Sequence, residues 1–361
     1  MFSSLSRRPL LKLAGPRRCA VSSSSSNNSS TSNATVPVFE FCSTLKVQGT
    51  IGVGCWAWNR DIDSPQWGKL ATAEQDALAA FKASVEAGVT FFDTAEVYAA
   101  GQSEEIVGAA VAADAGAHRA VVATKFLPMP NCVFASALSQ HLDASLARLQ
   151  LPAVDLYQVH GMLPSVRSVE TWMEELVKLH KAGKVKHVGV SNFTPGQVER
   201  AHRYLAQAGI PLVSNQIEYS LLRRAPENNG VIDMCKRLNI RIIAYSPLGM
   251  GRLSGKYSSA NPPPSGRQFA KVDLGALDRL LDVIRAVAKE HSDDVTPSQV
   301  ALAWCVAKGA FPISGARNAA QARENALAMH VLLTADQVAR LDEASLSCQA
   351  QPGLFERLWQ D

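Results

Sequence analysis

An aspartate, a lysine and a histidine each stand at or just behind a short apolar run. Phe91-Phe92 precedes Asp93, Val121-Val122-Ala123 leads to Lys125, and Val154 to Val159 ends before His160, while Tyr98 follows Asp93 by five residues. A free phenol ionises near pH ~10 and is a poor acid at neutrality. A neighbouring ammonium favours phenolate and lowers that value, and a carboxylate beside the ammonium keeps it charged and oriented. An imidazole adds a hydrogen bond to the same oxygen or to a substrate. Taken singly, an Asp after a strand caps the next turn and a Lys is a solvated charge. Brought together, Asp93, Tyr98, Lys125 and His160 make a phenol tuned to protonate a developing alkoxide.

A repeating unit supplies the convergence. From residue 50 onward the chain alternates an amphipathic helix, a break at Gly or Asn, an apolar strand and polar residues. Thr72 is placed to cap a helix with Ala77, Leu78, Phe81 and Val85 on one face; Gly88 stops it and Val89 to Phe92 form a strand ending in Asp93. The pattern returns at Gly183 before His187 to Val190, Gly209 before Pro211 to Val213, Asn239 before Ile240 to Ala244, and Gly309 before Phe311 to Ile313. With Thr50 to Cys55, Ala120 to Thr124 and Val154 to Val159, this predicts eight strands separated by helices. Apolar strands joined by helical crossovers imply a parallel sheet. Eight units in a chain of 361 residues favour an α/β fold closed as a (β/α)8 TIM barrel over an open doubly wound sheet. Residues 36–49 read as an N-terminal β-hairpin plugging the far end, and further helices follow at the C-terminal side. The residue after each strand then points into one mouth: Trp56, Asp93, Lys125, His160, Ser191 with Asn192, Gln216 with Glu218, Tyr245 with Ser246, and Gly315.

Composition bounds the remaining possibilities. The chain is 47% hydrophobic and 19% charged, too apolar for a disordered protein. No stretch reaches the ~18 uncharged apolar residues of a spanning helix, which argues against a membrane partner. Of the net charge of +4, five basic residues and no acidic one fall in residues 1–39, so the rest of the chain is slightly acidic and nucleic-acid binding is not indicated. The seven Cys show no CxxC pair and read as reduced thiols packed as small hydrophobes. Residues 1–35 are Arg-rich, Ser-rich and free of acid, the composition of an organelle transit peptide ahead of a single domain at 36–361. The Ser run of residues 22–26 favours the chloroplast; the Arg and Leu of residues 5–18 would also suit a mitochondrion.

The sequence resembles the aldo-keto reductases. The resemblance lies in Phe92-Asp93-Thr94-Ala95-Glu96-Val97-Tyr98, Ala123-Thr124-Lys125, Asp155-Leu156-Tyr157-Gln158-Val159-His160, Val188-Gly189-Val190-Ser191-Asn192-Phe193, Ser214-Asn215-Gln216 and Ala244-Tyr245-Ser246-Pro247-Leu248-Gly249. It continues through Leu253 to Tyr257 and Ile313 to Asn325, so that order and spacing match over residues 40–345. The string from Ser220-Leu221 to Pro226-Glu227 and the leader make it most similar to plant and algal plastid members. The resemblance implies NAD(P)H-dependent reduction of a small aldehyde or ketone without a metal, by a monomer or weak homo-oligomer. It makes Tyr98 the general acid, Lys125 the group that lowers its pKa, Asp93 the partner of Lys125, and His160 the residue that orients the carbonyl. It also places Ser191, Asn192 and Gln216 on the nicotinamide carboxamide and Tyr245 on the ring. Ser246, Leu248, Gly251, Leu253 and Lys256 fall on the pyrophosphate, and Gly315, Arg317, Gln321, Glu324 and Asn325 toward the adenosine. Arg317 there favours NADPH over NADH, and Trp56 lines the substrate pocket.

Gly52-Val53-Gly54-Cys55-Trp56-Ala57 fits a loose dinucleotide pattern, but no helix signal opens after Ala57, so a Rossmann reading is set aside. Three positions depart from the family pattern: Gly161-Met162 after His160, Ala99-Ala100 after Tyr98, and Ser314 where many members carry Pro. None removes a proton-transfer group; together they leave the pocket shape, and so the substrate, undefined. A nucleotide-sensing barrel with little turnover, like the β-subunits of potassium channels, is the rival reading.

Overall fold

The structure is a computed structural model describing residues 35–60, 72–114, 116, 119–162, 167–264 and 271–351. The expected leader up to residue 34, Trp67 and His118 lie outside those residues. In chain order the elements are β1 (Val38–Cys42), β2 (Leu45–Gln48), β3 (Gly52–Gly54), α1 (Glu74–Glu86), β4 (Phe91–Asp93), α2 (Gln102–Ala113), β5 (Val121–Phe126), α3 (Ala137–Leu149), β6 (Val154–Val159) and α4 (Val169–Lys181). They continue with β7 (Val185–Ser191), α5 (Pro195–Gln207), β8 (Leu212–Glu218), α6 (Val231–Arg237), β9 (Arg241–Tyr245), α7 (Leu274–His291), α8 (Pro297–Ala307), β10 (Phe311–Gly315), α9 (Ala319–Leu327) and α10 (Ala335–Leu346). Strands β3 to β10 close into one barrel in sequence order, every neighbour parallel, with β10 returning to β3. The fold is the expected (β/α)8 barrel. Helix α7 packs against α8 and α10 and, with α10, exceeds what the repeat requires.

Each unit turns where the sequence breaks: Gly88, Gly183, Gly209, Asn239 and Gly309 all carry left-handed backbone. The helix starts are less uniform. Thr194 and Thr296 cap α5 and α8 in capping boxes with Gln197 and Gln299. Thr72 does not cap α1, contrary to expectation. Its backbone exchanges hydrogen bonds with Ala57 and Asn59 across the loop after β3, and Ala73 takes the cap position without a side-chain bond. Tertiary pairing of the loop overrides the local signal.

The hairpin of β1 and β2 plugs the amino-terminal end of the barrel. Phe41 lies against Phe91 and Phe311, with ring centroids at 5.5 and 5.1 Å. With Leu45, Val47, Ala123, Leu156, Val213, Ile243 and Ile313 they form a separate apolar cluster that fills this end. The outer layer, between strands and helices, holds the main core. The polar strand-end residues of the expected site lie at the opposite end, where the strands finish.

The helix after the Tyr98 turn is held by a close approach. A Cβ on Gly108 in α2 would lie 2.6 Å from the Leu149 carbonyl oxygen and 2.9 Å from that of Arg148, the last backbone of α3. Backbone cannot give way as a side chain can. Gly108→Ala is expected to cost about 1–3 kcal/mol by overpacking, outweighing the roughly 1 kcal/mol that Ala gains as a helix former. Thermal melts check this, and a raised melting temperature would contradict it.

Candidate active site

Most of the expected mouth residues lie within the carboxy-terminal ends of their strands rather than after them. Asp93, Lys125, Ser191, Gln216, Tyr245 and Gly315 lie within β4, β5, β7, β8, β9 and β10; His160 and Trp56 lie just beyond β6 and β3. Register sets them in one row, with Lys125 beside Gln158 and Ser191 beside Gln216.

Three of the four expected proton-transfer groups touch. Lys125 Nζ donates to Asp93 Oδ1 at 2.5 Å, to the Thr94 carbonyl at 2.8 Å and to the Tyr98 hydroxyl at 3.1 Å. The ammonium and carboxylate are buried, at 0% and 1% exposed, so their charges are balanced by each other rather than by water. Gln216 Nε2 and Gln158 Nε2 both donate to Asp93 Oδ2, at 2.8 and 3.2 Å. The His160 ring stands edge-on to Tyr98, centroids 5.8 Å apart at 76°.

Burial and charge act in opposite directions on these groups. Burial pulls the Lys125 ammonium down, but Asp93 and Tyr98 more than offset it, leaving its pKa above that of a free lysine. Burial pushes the Tyr98 phenol up; Lys125 draws it down and Asp93 pushes it up again, for a net rise. The expectation of a phenol more acidic than free tyrosine is thus corrected for the protein alone. Lys125 limits an upward shift instead of producing a downward one. Burial first, and then the Lys125 charge, push the His160 imidazole well below its ordinary value, so it is neutral at neutral pH.

The turn that carries Tyr98 is strained. Ala99 and Ala100 take left-handed backbone, φ 49° and 54°, and Gly101 follows at 95°. Such backbone costs a non-glycine residue roughly 1–2 kcal/mol, so the surroundings must hold it. They do so with groups that the strand-end pattern did not reveal. Ser103 Oγ donates to the Cys55 carbonyl and pairs with Thr94 Oγ1, both at 2.8 Å. Glu104, fully buried, accepts from Thr124 Oγ1 at 2.5 Å and from Arg148 Nε at 2.7 Å. Glu96 accepts from the Leu127 N–H and pairs with His141 Nδ1 at 2.6 Å. The signal available in sequence was the run of small polar and acidic residues on both sides of Tyr98.

On the opposite rim the expected carboxamide-binding groups form a chain. Tyr245 donates to Asn192 Oδ1 at 3.1 Å; Asn192 Nδ2 donates to Ser191 Oγ and to the His160 carbonyl, each at 3.0 Å; and Ser191 Oγ donates to the Gln216 carbonyl at 2.9 Å. Beyond them, Ser246, Gly249, Met250, Gly251 and Gly255 all have positive φ. The N–H groups of Gly249, Gly251, Arg252, Leu253 and Ser254 in this tightly turned loop all donate to backbone carbonyls within it. Lys256 is exposed there, whereas Leu253 is fully buried in the core and its N–H donates to the Leu248 carbonyl. Arg317 N–H is held by Gln321 Oε1, Asn325 Nδ2 by the Gly315 carbonyl, and Glu324 accepts from Thr296. Gly54 and Gly315 are register partners, and a Cβ on either would meet only backbone at 3.7 Å or beyond, so this side of the mouth is bare. Trp56 is half-buried beside it. Among the described residues no three His, Cys, Asp or Glu side chains are grouped to hold a metal ion. Gly52 to Gly54 is a barrel strand, and α1 begins only at Glu74.

The site is thus a buried Asp93–Lys125–Tyr98 contact at the carboxy-terminal mouth of a closed parallel barrel. The aldo/keto reductase family model matches residues 50–346, and the chain belongs to that family. It is 34% identical over 308 residues to pyridoxal reductase, chloroplastic, of Arabidopsis thaliana, which spans 82% of each chain. An aldo-keto reductase from Klebsiella pneumoniae in complex with NADPH superposes with a TM-score of 0.62 at 25% identity, over 82% of this chain and 91% of that one. An aldo/keto reductase from Klebsiella pneumoniae with NADP and acetate gives 0.63 at 26%, over 85% and 94%.

Proposed function

We propose that the chain is an NADPH-dependent reductase of aldehydes or ketones in which Tyr98 protonates the carbonyl oxygen. The observation that carries this reading is the contact of one buried ammonium, Lys125, with both Asp93 and the Tyr98 hydroxyl. The residues fit a dinucleotide: an amide and hydroxyl chain at Ser191, Asn192 and Gln216, the half-buried face of Tyr245, the exposed Lys256 on the loop after β9, and a rim bare of side chains at Gly54 and Gly315. Bound NADPH would supply the hydride from nicotinamide C4.

The chain's own groups do the rest. Tyr98 Oη gives its proton to the substrate oxygen as negative charge develops there, and Lys125 stabilises the phenolate that remains. Asp93 fixes the ammonium against both the Thr94 carbonyl and the phenol. Neutral His160 orients the carbonyl without adding charge. Trp56 forms one wall of the substrate pocket.

We assign Arg317 to a 2′-phosphate, as the family resemblance implies, which would favour NADPH over NADH. Arg317→Ala should weaken NADPH binding by roughly 10-fold or more and leave NADH binding unchanged; equal losses for both would remove the residue from that role. The leader, and the resemblance to a relative named chloroplastic, support plastid import, and the same relative puts pyridoxal on the substrate panel. NADPH oxidation against small aldehydes, ketones, sugar-derived aldehydes and pyridoxal, with Tyr98→Phe as blank, tests the reading. Absence of any carbonyl-dependent rate above that blank defeats it.

A further inference from the structure

We propose that Gln158 is a positioning residue for the proton transfer, its side-chain amide dividing the Asp93 charge between Lys125 and the barrel interior. This rests on the carbonyl-reductase reading. Gln158 is fully buried, on β6, two strands from Asp93 on β4. Its Nε2 donates to Asp93 Oδ2 at 3.2 Å and its Oε1 lies 3.5 Å from Gln216 Nε2, which itself donates to the same carboxylate oxygen. Asp93 thus gives one oxygen to Lys125 and the other to two amides from across the barrel. Gly189 makes the room. It is the register partner of Gln158 on β7, and a Cβ there would sit 3.0 Å from Gln158 Cγ.

The consequence is electrostatic. The charged and titratable groups facing Tyr98 are Cys55 after β3, Asp93 on β4, Lys125 on β5 and His160 after β6. Of these, Asp93 disfavours phenolate and Lys125 favours it. An N–H dipole on Asp93 Oδ2 offsets part of the carboxylate field felt at the phenol. An apolar residue at 158 would fill a similar space and remove one of the two amide dipoles on that oxygen, leaving the one from Gln216. Gln216 would lose its 3.5 Å contact with Gln158 Oε1 and keep its bond to Asp93.

Fluorine NMR of apo protein labelled with 3-fluorotyrosine reads the phenol directly, since the fluorine acidifies it and the Tyr98 line is the one missing from Tyr98→Phe. Gln158→Met should move the Tyr98 titration up by about half a pH unit, and Gln158→Glu, which puts a second anion beside Asp93 in alkaline solution, should move it further. In turnover, Gln158→Met should lower kcat about 10-fold with the carbonyl KM and NADPH affinity within about two-fold. Titrations that match the wild type in both variants, or a Met variant that loses only thermal stability, overturn the proposal. A wild type that reduces no carbonyl defeats the proposed function instead, while the fluorine titration still decides the part played by Gln158.

Discussion

Tyr98→Phe will bind NADPH as the wild type does and reduce carbonyls roughly 10²–10⁴-fold more slowly, the range spanned by a positioned general acid. The ring is retained, so its edge contact with His160 and the cation over its face at 4.7 Å survive. Lys125 keeps two of its three partners, Asp93 and the Thr94 carbonyl. Stability should therefore change by no more than about 1 kcal/mol, the net worth of one hydrogen bond. Fluorescence titration with NADPH and steady-state oxidation at 340 nm, the absorbance wavelength of reduced nicotinamide, separate the two effects at roughly saturating cofactor. Retention of more than a tenth of the wild-type rate would mean that another group delivers the proton.

The pH profile of the wild type carries its own sign. Burial holds the Tyr98 phenol above its ordinary value, so the acid is fully protonated across the neutral range. The reductive rate should be flat there and fall only as alkaline solution ionises the phenol. Burial and the Lys125 charge depress His160, so it contributes no limb around its usual range; a rate that rises or falls steeply near pH ~6.5 would contradict a neutral imidazole.

The barrel and most of the mouth were legible because a parallel (β/α)8 fold converts strand ends into neighbours. The alternation of apolar strand and Gly-stopped helix is enough to align Asp93, Lys125, His160, Ser191 and Tyr245 without knowing any contact. Strand ends were read short wherever the barrel lining turns polar. β8 runs on through Ser214-Asn215-Gln216 to Glu218, although the apolar signal stops at Val213. For the same reason Gln158 escaped notice, lying within an apolar strand whose inward face is polar at this height. The small polar and acidic residues flanking Tyr98 hint at supports such as Ser103 and Glu104, but their burial and the left-handed Ala99-Ala100 turn emerge only from three-dimensional packing. The direction of the Tyr98 shift was misjudged for a related reason: spacing reveals the neighbouring charges, while the degree of burial, here the larger influence, emerges only with the closed mouth.

Lys125→Met should cost about 3–5 kcal/mol of folding stability, the penalty for leaving one member of a buried ion pair uncompensated, and should abolish carbonyl reduction. Asp93 would keep its two amide donors, Gln158 and Gln216, but not the cation that balances its charge. The wild-type contribution has a definite pH window. The folded pKa of Lys125 is raised, so the stabilisation is complete at neutral pH and is lost only as the pH climbs through that elevated value in strongly alkaline solution. Asp93→Asn combined with Lys125→Met removes both charges. The double variant should recover most of the lost stability, because nothing is left unbalanced, and none of the turnover, because the phenolate that forms when Tyr98 gives up its proton has no ammonium beside it. Urea midpoints at pH 7 for the four proteins of this cycle, with NADPH oxidation on each, distinguish two uses of one charge. If the double variant is as unstable as Lys125→Met alone, the lysine stabilises the barrel by packing its chain, and the balance of charge with Asp93 is not what fixes it in place. If instead stability returns while activity does not, the pair is kept for what the ammonium does to the phenol.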